Sequence, residues 1–398
     1  MSMHMQPVGR LLELSDSGVW AGDDPVGGVS ILRSTNFGEG GEIDYSNLAI
    51  KAVPEKERVR KALRPGDILI EKSGGGPKQP VGRVAYFRGE ERAHVFGNFI
   101  ARLRTRPEVC EPRYLFWFLF RAYENGVTEA FQKQTTGIRN LELKRYLDVG
   151  IPLPPLEEQR RIVKLLDRAA EIRRRADVAR AKMRAIVPAL FLDTFGDPAT
   201  NPKGWPRRPL GELIGKIVGG KNIEAGNGSS AYRILKVSAV TSGYFQPEEA
   251  KPAPDGYQPP PEHHIRKGDF LFSRANTRAL VGAVAIVEND NTTGLLLPDK
   301  IWRIEWRQET IEPRFAYSLL RSNEVRRIFA QVASGTSDSM KNISQRKLAS
   351  IEVPVPSLPL QRTFAEQAKS LEATARALDA AAAKAAAIAA ALSAEVFG

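Results

Sequence analysis

Histidine and cysteine are scarce in this chain: four histidines and one cysteine, Cys110, among 398 residues. One thiol cannot close an intramolecular disulfide or build a multi-cysteine zinc site, so Cys110 is expected to be a small buried apolar residue in a reducing compartment. The first residues, MSMHMQPVGRLLEL, carry no apolar stretch of about 7–15 residues after a basic cluster, and no secretory leader is expected. Nor is a membrane span. The strongly apolar run Tyr114–Phe120 is far shorter than the roughly 18–20 residues a span needs, and the alanine-rich stretch 377–392 is interrupted by Asp379 and Lys384. The expected location is the cytoplasm.

Catalytic constellations are missing as well. Gly215 to Lys221 has the spacing of a phosphate-binding loop, but Asn222 stands where a magnesium-binding Ser or Thr belongs. The cluster Gly38-Glu-Gly-Gly41 lacks the strand-turn-helix setting of a dinucleotide fingerprint. No nucleophile elbow is present, no Asn/Asp-Pro-Pro-aromatic tetrapeptide of an adenine methyltransferase, and no Glu-x-Lys after Pro298-Asp299 to complete a nuclease metal site. His263-His264 is the lone histidine pair and reads as a solvated loop. No catalytic residue, metal site or cofactor is expected in this chain.

What is abundant is positive charge. There are 58 Lys+Arg against 46 Asp+Glu, a formal net charge of +12, and 42% of residues are hydrophobic. At roughly 100–200 residues per domain the length allows two or three globular domains. Basic excess favours an anionic partner, with nucleic acid first, because Lys and Arg release counterions from phosphates.

The chain also repeats itself. Leu63-Arg-Pro-Gly-Asp-Ile-Leu-Ile70 returns as Ile265-Arg-Lys-Gly-Asp-Phe-Leu-Phe272, with Asp269 falling 202 positions after Asp67. Ile151-Pro-Leu-Pro-Pro-Leu and Gln159-Arg160 return at the same offset as Val353-Pro-Val-Pro-Ser-Leu and Gln361-Arg362, and both halves end in Phe-Gly, at Phe195 and Phe397. Such recurrence marks a tandem duplication of a unit of about 200 residues. Each unit begins with short β-rich runs punctuated by Gly and Pro: Asp67–Glu71 and Gly82–Phe87 in the first, Asp269–Ser273 and Val284–Glu288 in the second. One apolar helix is expected in each, Pro112–Tyr123 and Pro313–Phe329, opened by a proline suited to a first turn.

A proline-rich hinge then leads into a charged run from Glu157 to Phe195 whose apolar and small residues step by threes and fours. The expected seam contains Ile162, Leu165, Ile172, Met183 and Ile186, and its copy contains Phe364, Leu371, Leu378 and Ile388. Either stripe could pack on its own globular domain. A helix of some 36 residues is roughly 54 Å long, though, and outgrows one small domain, so the two helices are expected to pair with each other. The fold expected is α+β: two similar mixed α/β domains separated by two long helices paired as an intramolecular antiparallel coiled coil with pseudo-twofold symmetry. The divisions are 1–153, 154–196, 197–355 and 356–398.

Thr135-Thr-Gly-Ile-Arg-Asn-Leu-Glu-Leu-Lys144 followed by Ile151-Pro-Leu-Pro-Pro-Leu-Glu-Glu-Gln-Arg-Arg-Ile-Val163 resembles the conserved-region signature of type I restriction-modification DNA-specificity subunits. Met340-Lys-Asn-Ile-Ser-Gln-Arg-Lys-Leu348 through Val353-Pro-Val-Pro is its second copy. The chain departs from the signature at Ser357-Leu-Pro-Leu360 and in the alanine richness of its last helix. The resemblance implies a non-catalytic subunit with two target-recognition domains, each reading half of a split, asymmetric sequence in double-stranded DNA. It further implies two methyltransferase subunits as partners, carrying S-adenosylmethionine chemistry at adenine N6, and restriction subunits using ATP with Mg²⁺.

Candidate DNA contacts are loop residues with forked donors, since Arg reads guanine and Asn adenine while Lys sets phosphate contact. In the first unit these are Arg33, Asn36, Lys72, Ser73, Lys78, Thr136, Arg139 and Asn140; in the second, Lys236, Arg274, Asn276, Arg278, Lys341 and Asn342. The residues by themselves leave two other readings open: a tandem protein-binding scaffold without DNA specificity, and a metal-dependent nuclease.

Overall fold

A computed structural model of the chain describes residues 4–22, 27–76, 79–135, 137–228, 230–288, 290–335 and 340–398. The chain divides into two compact units, Met1–Asp177 with Asp379–Gly398, and Val178–Leu378. The units cut across the four divisions expected from sequence, because each takes half of both long helices into its own core.

The first unit is built from β1 (Leu12–Ser17), β2 (Val29–Leu32), β3 (Ile68–Glu71), β4 (Ser73–Gly75), β5 (Val84–Tyr86), β6 (His94–Phe96), β7 (Ile100–Thr105), α1 (Pro112–Glu124), β8 (Gln132–Thr135) and β9 (Ile138–Leu141). From this unit the helix α2 (Leu156–Phe195) starts. The central sheet has the order β1-β7-β3-β5, antiparallel throughout. A smaller sheet, β8-β9-β4, stands at the exit of β3, and β2 pairs in parallel with β6. The second unit repeats this plan with β10 (Ile214–Gly219), β11 (Arg233–Leu235), β12 (Phe270–Ser273), β13 (Ala275–Asn276), β14 (Val284–Ile286), β15 (Ile301–Trp306), α3 (Pro313–Arg321), β16 (Lys341–Asn342) and α4 (Leu358–Phe397). Its central sheet, β10-β15-β12-β14, matches the first strand for strand. The suspected phosphate loop at Gly215–Lys221 is mostly the strand β10, paired with β15.

The repeated Arg-x-Gly-Asp segment is a turn into the central strand. Gly66 has φ +97° and Gly268 φ +90°, a region open to glycine at little cost. The aspartate that follows closes the turn: the backbone N–H of Arg64 donates to the Asp67 carboxylate at 2.9 Å, and that of Arg266 to Asp269 at 2.8 Å. α1 forms as expected with its proline in the first turn. The second unit differs, since the expected helix Pro313–Phe329 breaks at Ser322, whose extended backbone and side-chain oxygen cap a new helix at Asn323–Val332.

Each long helix lends its end to a core. In the second unit Phe191 and Phe195 of α2 meet Phe364 of α4 and Phe315 of α3, with the Phe195 and Phe364 ring centroids 5.2 Å apart. In the first unit Ile162 and Leu166 of α2 share a cluster with Val396 of α4, and Phe397 packs 5.3 Å from Tyr114. Within each unit the start of one helix therefore lies with the end of the other, which is antiparallel pairing. The two Phe-Gly endings of the repeat are the anchors.

The seam is partly other than expected. Ile162, Phe364, Leu371, Leu378, Ile172 and Met183 are buried or half-buried, whereas Leu165, Ile186 and Ile388 are 45%, 40% and 55% exposed. Their places are taken one residue later by Leu166, Val187 and Ala389. In α4 the inward positions run Phe364, Ala368, Leu371, Ala375, Leu378, Ala382, Ala385, Ala389, Leu392 and Val396, a repeat whose first step is four rather than three. Adjacent apolar residues such as Leu165-Leu166, and runs of alanine, leave that phase unreadable without the partner surface. α4 is also long and apolar enough by composition to cross a membrane, contrary to the sequence expectation. Its alanine content accounts for this, and its inward face is committed to the two cores.

A buried glutamine locks each long helix to its domain. The Gln159 side-chain oxygen accepts from the N–H of Glu111 at 2.8 Å while its amide donates to the Pro154 carbonyl at 2.8 Å; Gln361 does the same with Glu312 and Pro356 at 2.9 and 2.8 Å. Cys110 is fully buried with a free thiol, and burial pushes its pKa up to about 12.

Candidate nucleic-acid interface

The structure gathers separate sequence candidates into one cradle per unit. In the first, the chain leaves β3 at Lys72 and re-forms as β4, where Ser73 pairs with Asn140 and Gly75 with Arg139 of β9. The Lys72 N–H donates to the Phe99 carbonyl at 2.9 Å, and its own carbonyl accepts from Leu141 at 2.8 Å. The Ser73 hydroxyl donates to the Asn140 side-chain oxygen. In the second unit Arg274 occupies the place of Lys72: its N–H donates to Lys300 at 3.0 Å and its carbonyl accepts from Ile343 at 2.9 Å. Ala275 then pairs with Asn342, and Asn276 with Lys341. Lys72 and Arg274, Arg139 and Lys341, Asn140 and Asn342 are thus equivalent pairs in two similar frames.

Within those frames the side chains are held differently. The Arg274 guanidinium lies 5.6 Å over the Trp302 ring and donates from Nε to the Asp299 carbonyl at 2.8 Å, which aims a rigid fork. Lys341 Nζ donates to the Gly335 carbonyl at 2.9 Å. Asn276 is turned inward on its own loop, its side-chain oxygen accepting from Thr277 N–H at 2.8 Å. Arg278 is exposed on the following turn.

The first unit ties a second loop to its cradle. Arg83 donates from Nε to Glu71 at 2.9 Å and from Nη2 to the Ser34 carbonyl at 3.0 Å, so the loop after β2 is pinned to the residue before Lys72. Arg33 is half-buried on that loop, reaching the Asn47 carbonyl at 3.4 Å. Asn36 is not available as a base reader. It is 2% exposed, its amide donates to the Asp44 and Asn47 carbonyls at 3.0 Å each, and its oxygen accepts from Arg33 N–H at 2.9 Å. That set of bonds holds the loop together, and an adenine contact would have to break them. Lys236, on the matching loop of the second unit, faces solvent and sits 3.8 Å from Glu249. Lys78 and Thr136 lie outside the described residues. The basic run Arg173-Arg174-Arg175 is exposed on α2, with Arg174 and Arg175 paired to Glu171.

Residues 22–174 match the family model described as the type I restriction modification DNA specificity domain. The chain is similar to type I restriction-modification specificity subunits. It is 24% identical over 296 residues to the MjaVIII specificity subunit of Methanocaldococcus jannaschii, covering 70% of this chain and 67% of that one. With the EcoKI specificity subunit of Escherichia coli it shares 24% identity over 361 residues, 86% of this chain and 75% of the relative. Its fold is like that of a crystal structure of the S subunit from M. genitalium, with a TM-score of 0.64 at 14% identity over 100% of this chain and 97% of the other. The relatives are named as specificity subunits of restriction enzymes. Among the described residues of this chain no group of three or more His, Cys, Asp or Glu could hold a metal ion.

Proposed function

We propose that the protein is the sequence-reading subunit of a type I restriction-modification complex and that each unit reads one half of a bipartite, asymmetric target in double-stranded DNA. The observation that carries this reading is the pair of equivalent cradles, alike in backbone and different in side chains: Lys72, Ser73, Arg139 and Asn140 against Arg274, Ala275, Lys341 and Asn342. Two readers on one frame with different donors are what unlike half-sites require, because Arg and Asn forks discriminate guanine and adenine in the major groove while Lys addresses phosphate. The duplicated frame offers two equivalent docking surfaces, which suits two copies of a methyltransferase subunit. Adenine N6 methylation with S-adenosylmethionine, and ATP- and Mg²⁺-dependent restriction where that subunit is present, belong to those partners. The reading places the protein in the cytoplasm, on DNA.

Methylome sequencing after co-expression with the partner methyltransferase tests it. A single bipartite motif is expected, and a contiguous motif overturns the two-reader scheme. Asn140→Ala is expected to relax one half-site by about 1–3 kcal/mol of discrimination while sparing the other, and Asn342→Ala to do the reverse. Equal loss at both half-sites from either substitution contradicts separate readers.

A further inference from the structure

The two cradles differ most in an element absent from the candidate contacts. The carbonyl that accepts from Lys72 belongs to Phe99, and the carbonyl that accepts from Arg274 belongs to Lys300. The same backbone position thus carries an aromatic ring in the first unit and an ammonium in the second. Phe99 is 43% exposed. Its ring lies over Gly74 of β4, where a Cβ would come 3.4 Å from the ring edge and where φ is +103°. Gly74 therefore provides both the turn and the seat for the ring.

A second exposed ring is nearby along the backbone. Val19 bridges Gly97 in parallel, two residues before Phe99, and the next residue, Trp20, is 81% exposed. The corresponding bridge of the second unit joins Lys221 to Pro298 and is followed by Asn222. The second unit keeps its own aromatic, Trp302, buried beneath Arg274. One cradle consequently shows an apolar ring at its rim, with a second on the adjoining bridged segment, and the other shows charge there, with an amide on the matching segment.

Scattered exposed apolar residues are ordinary on a protein surface. These two are not scattered: Phe99 borders a basic, donor-bearing cradle and Trp20 follows the residue bridged to Gly97, on backbone segments whose partners have polar residues at the same places. In the grooves of a duplex, a ring so placed has two apolar surfaces to meet, the thymine methyl group and the face of a base at an opened, deformable step. We infer that Phe99, with Trp20 on the segment bridged to Gly97, makes an apolar contact to the bases of the half-site read by the first unit, while Lys300 gives the second unit a phosphate contact from the same position. This rests on the proposal that the units read DNA.

The test uses the full chain in complex with its co-expressed methyltransferase and a pool of randomised duplexes. The wild-type complex is expected to enrich two half-sites. Phe99→Ala is expected to weaken cognate binding roughly tenfold and to relax base preference in the first half-site alone, with the salt dependence unchanged. Phe99→Leu, which keeps an apolar side chain, should recover most of both. Lys300→Ala should leave every base preference intact and lower the slope of log affinity against log salt by about 0.9. Replacing thymine with deoxyuridine in the first half-site separates the two apolar surfaces: a loss equal to that of Phe99→Ala assigns the contact to the methyl group, and Phe99-dependent bending without such a loss assigns it to an opened step. If Phe99→Ala leaves the enriched sequence unchanged, blurs both half-sites equally, or weakens methyltransferase capture and not DNA binding, the inference is overturned while the DNA reading stands. A wild-type complex that enriches no sequence overturns both.

Discussion

The two units share a frame and differ at its rim. Both turn into their central strand through Gly-Asp, both hold a long helix with a buried glutamine, and both seat a Phe from the end of a long helix. At the exit of that strand they part. The first unit has the Glu71–Arg83 pair, with Glu71 buried, pinning the neighbouring loop; the second has Ser273 and Ala283 at those places. Beneath the cradle the second unit substitutes aromatic packing, with Phe272 and Trp302 stacked 6.0 Å apart. Duplication conserves what the backbone requires and frees the side chains that face outward.

The aromatic anchors offer the largest perturbation. Phe195→Ala should cost about 3–5 kcal/mol, because the ring is buried among Phe191, Phe315 and Phe364 and the space left cannot refill. Phe397→Ala should cost less, since Phe397 is only half-buried in the first unit. Urea unfolding of the two variants measures both, and equal losses would show that the anchors are interchangeable.

Next in size is the pin. Glu71→Ala should destabilise the first unit by about 2–3 kcal/mol, below the full cost of breaking a buried pair because Arg83 is partly solvated. Amide exchange at Lys72–Gly75 should accelerate with it. Ser273→Ala should change the second cradle little, and comparable acceleration there would erase the distinction between the units. The glutamine clamps make the opposite prediction, of likeness: Gln159→Leu and Gln361→Leu should each cost about 1–3 kcal/mol by leaving a helix-entry N–H unpaired. Thermal melts that differ widely between the two would mean the shared frame is not energetically shared.

The smallest effect is chemical and confined to the first unit. With its pKa near 12 the Cys110 thiol is protonated at pH 8–9, so alkylation there should be slow until the protein unfolds. An ordinary unfolded thiol titrates at about 8.5, so this group favours the folded state less as pH rises above that value. Rapid alkylation of the native chain at pH 8 would place the thiol nearer the surface.

Much of the frame was legible along the chain. The 202-residue offset announced the duplication, and strand, helix and hinge segments fell close to where composition placed them, because turns, prolines and strand-forming runs act locally. The seam was half legible: its heptad-spaced positions Ile162, Phe364, Leu371 and Leu378 turn inward, but Leu165, Ile186 and Ile388 face out, since two neighbouring apolar residues on a helix look alike until a partner selects one. The break at Ser322 was hidden by an apolar pattern continuing on both sides of it. Asn36 looked like a reader because asparagine can serve either as a base contact or as a loop clamp, and only its three hydrogen bonds distinguish them.

By itself the sequence determined that this protein is two copies of one unit, basic, without a recognisable catalytic constellation, and carrying the specificity-subunit signature; repetition, charge and short motifs are properties of the chain. Tertiary structure decided which candidates stand together. Lys72 and Asn140 are 68 residues apart in the chain, as are Arg274 and Asn342, and become neighbours only when β4 pairs with β9 and β13 with β16. Strand pairing across such a loop is a long-range contact chosen by the packing of the whole unit, so no local pattern could declare it.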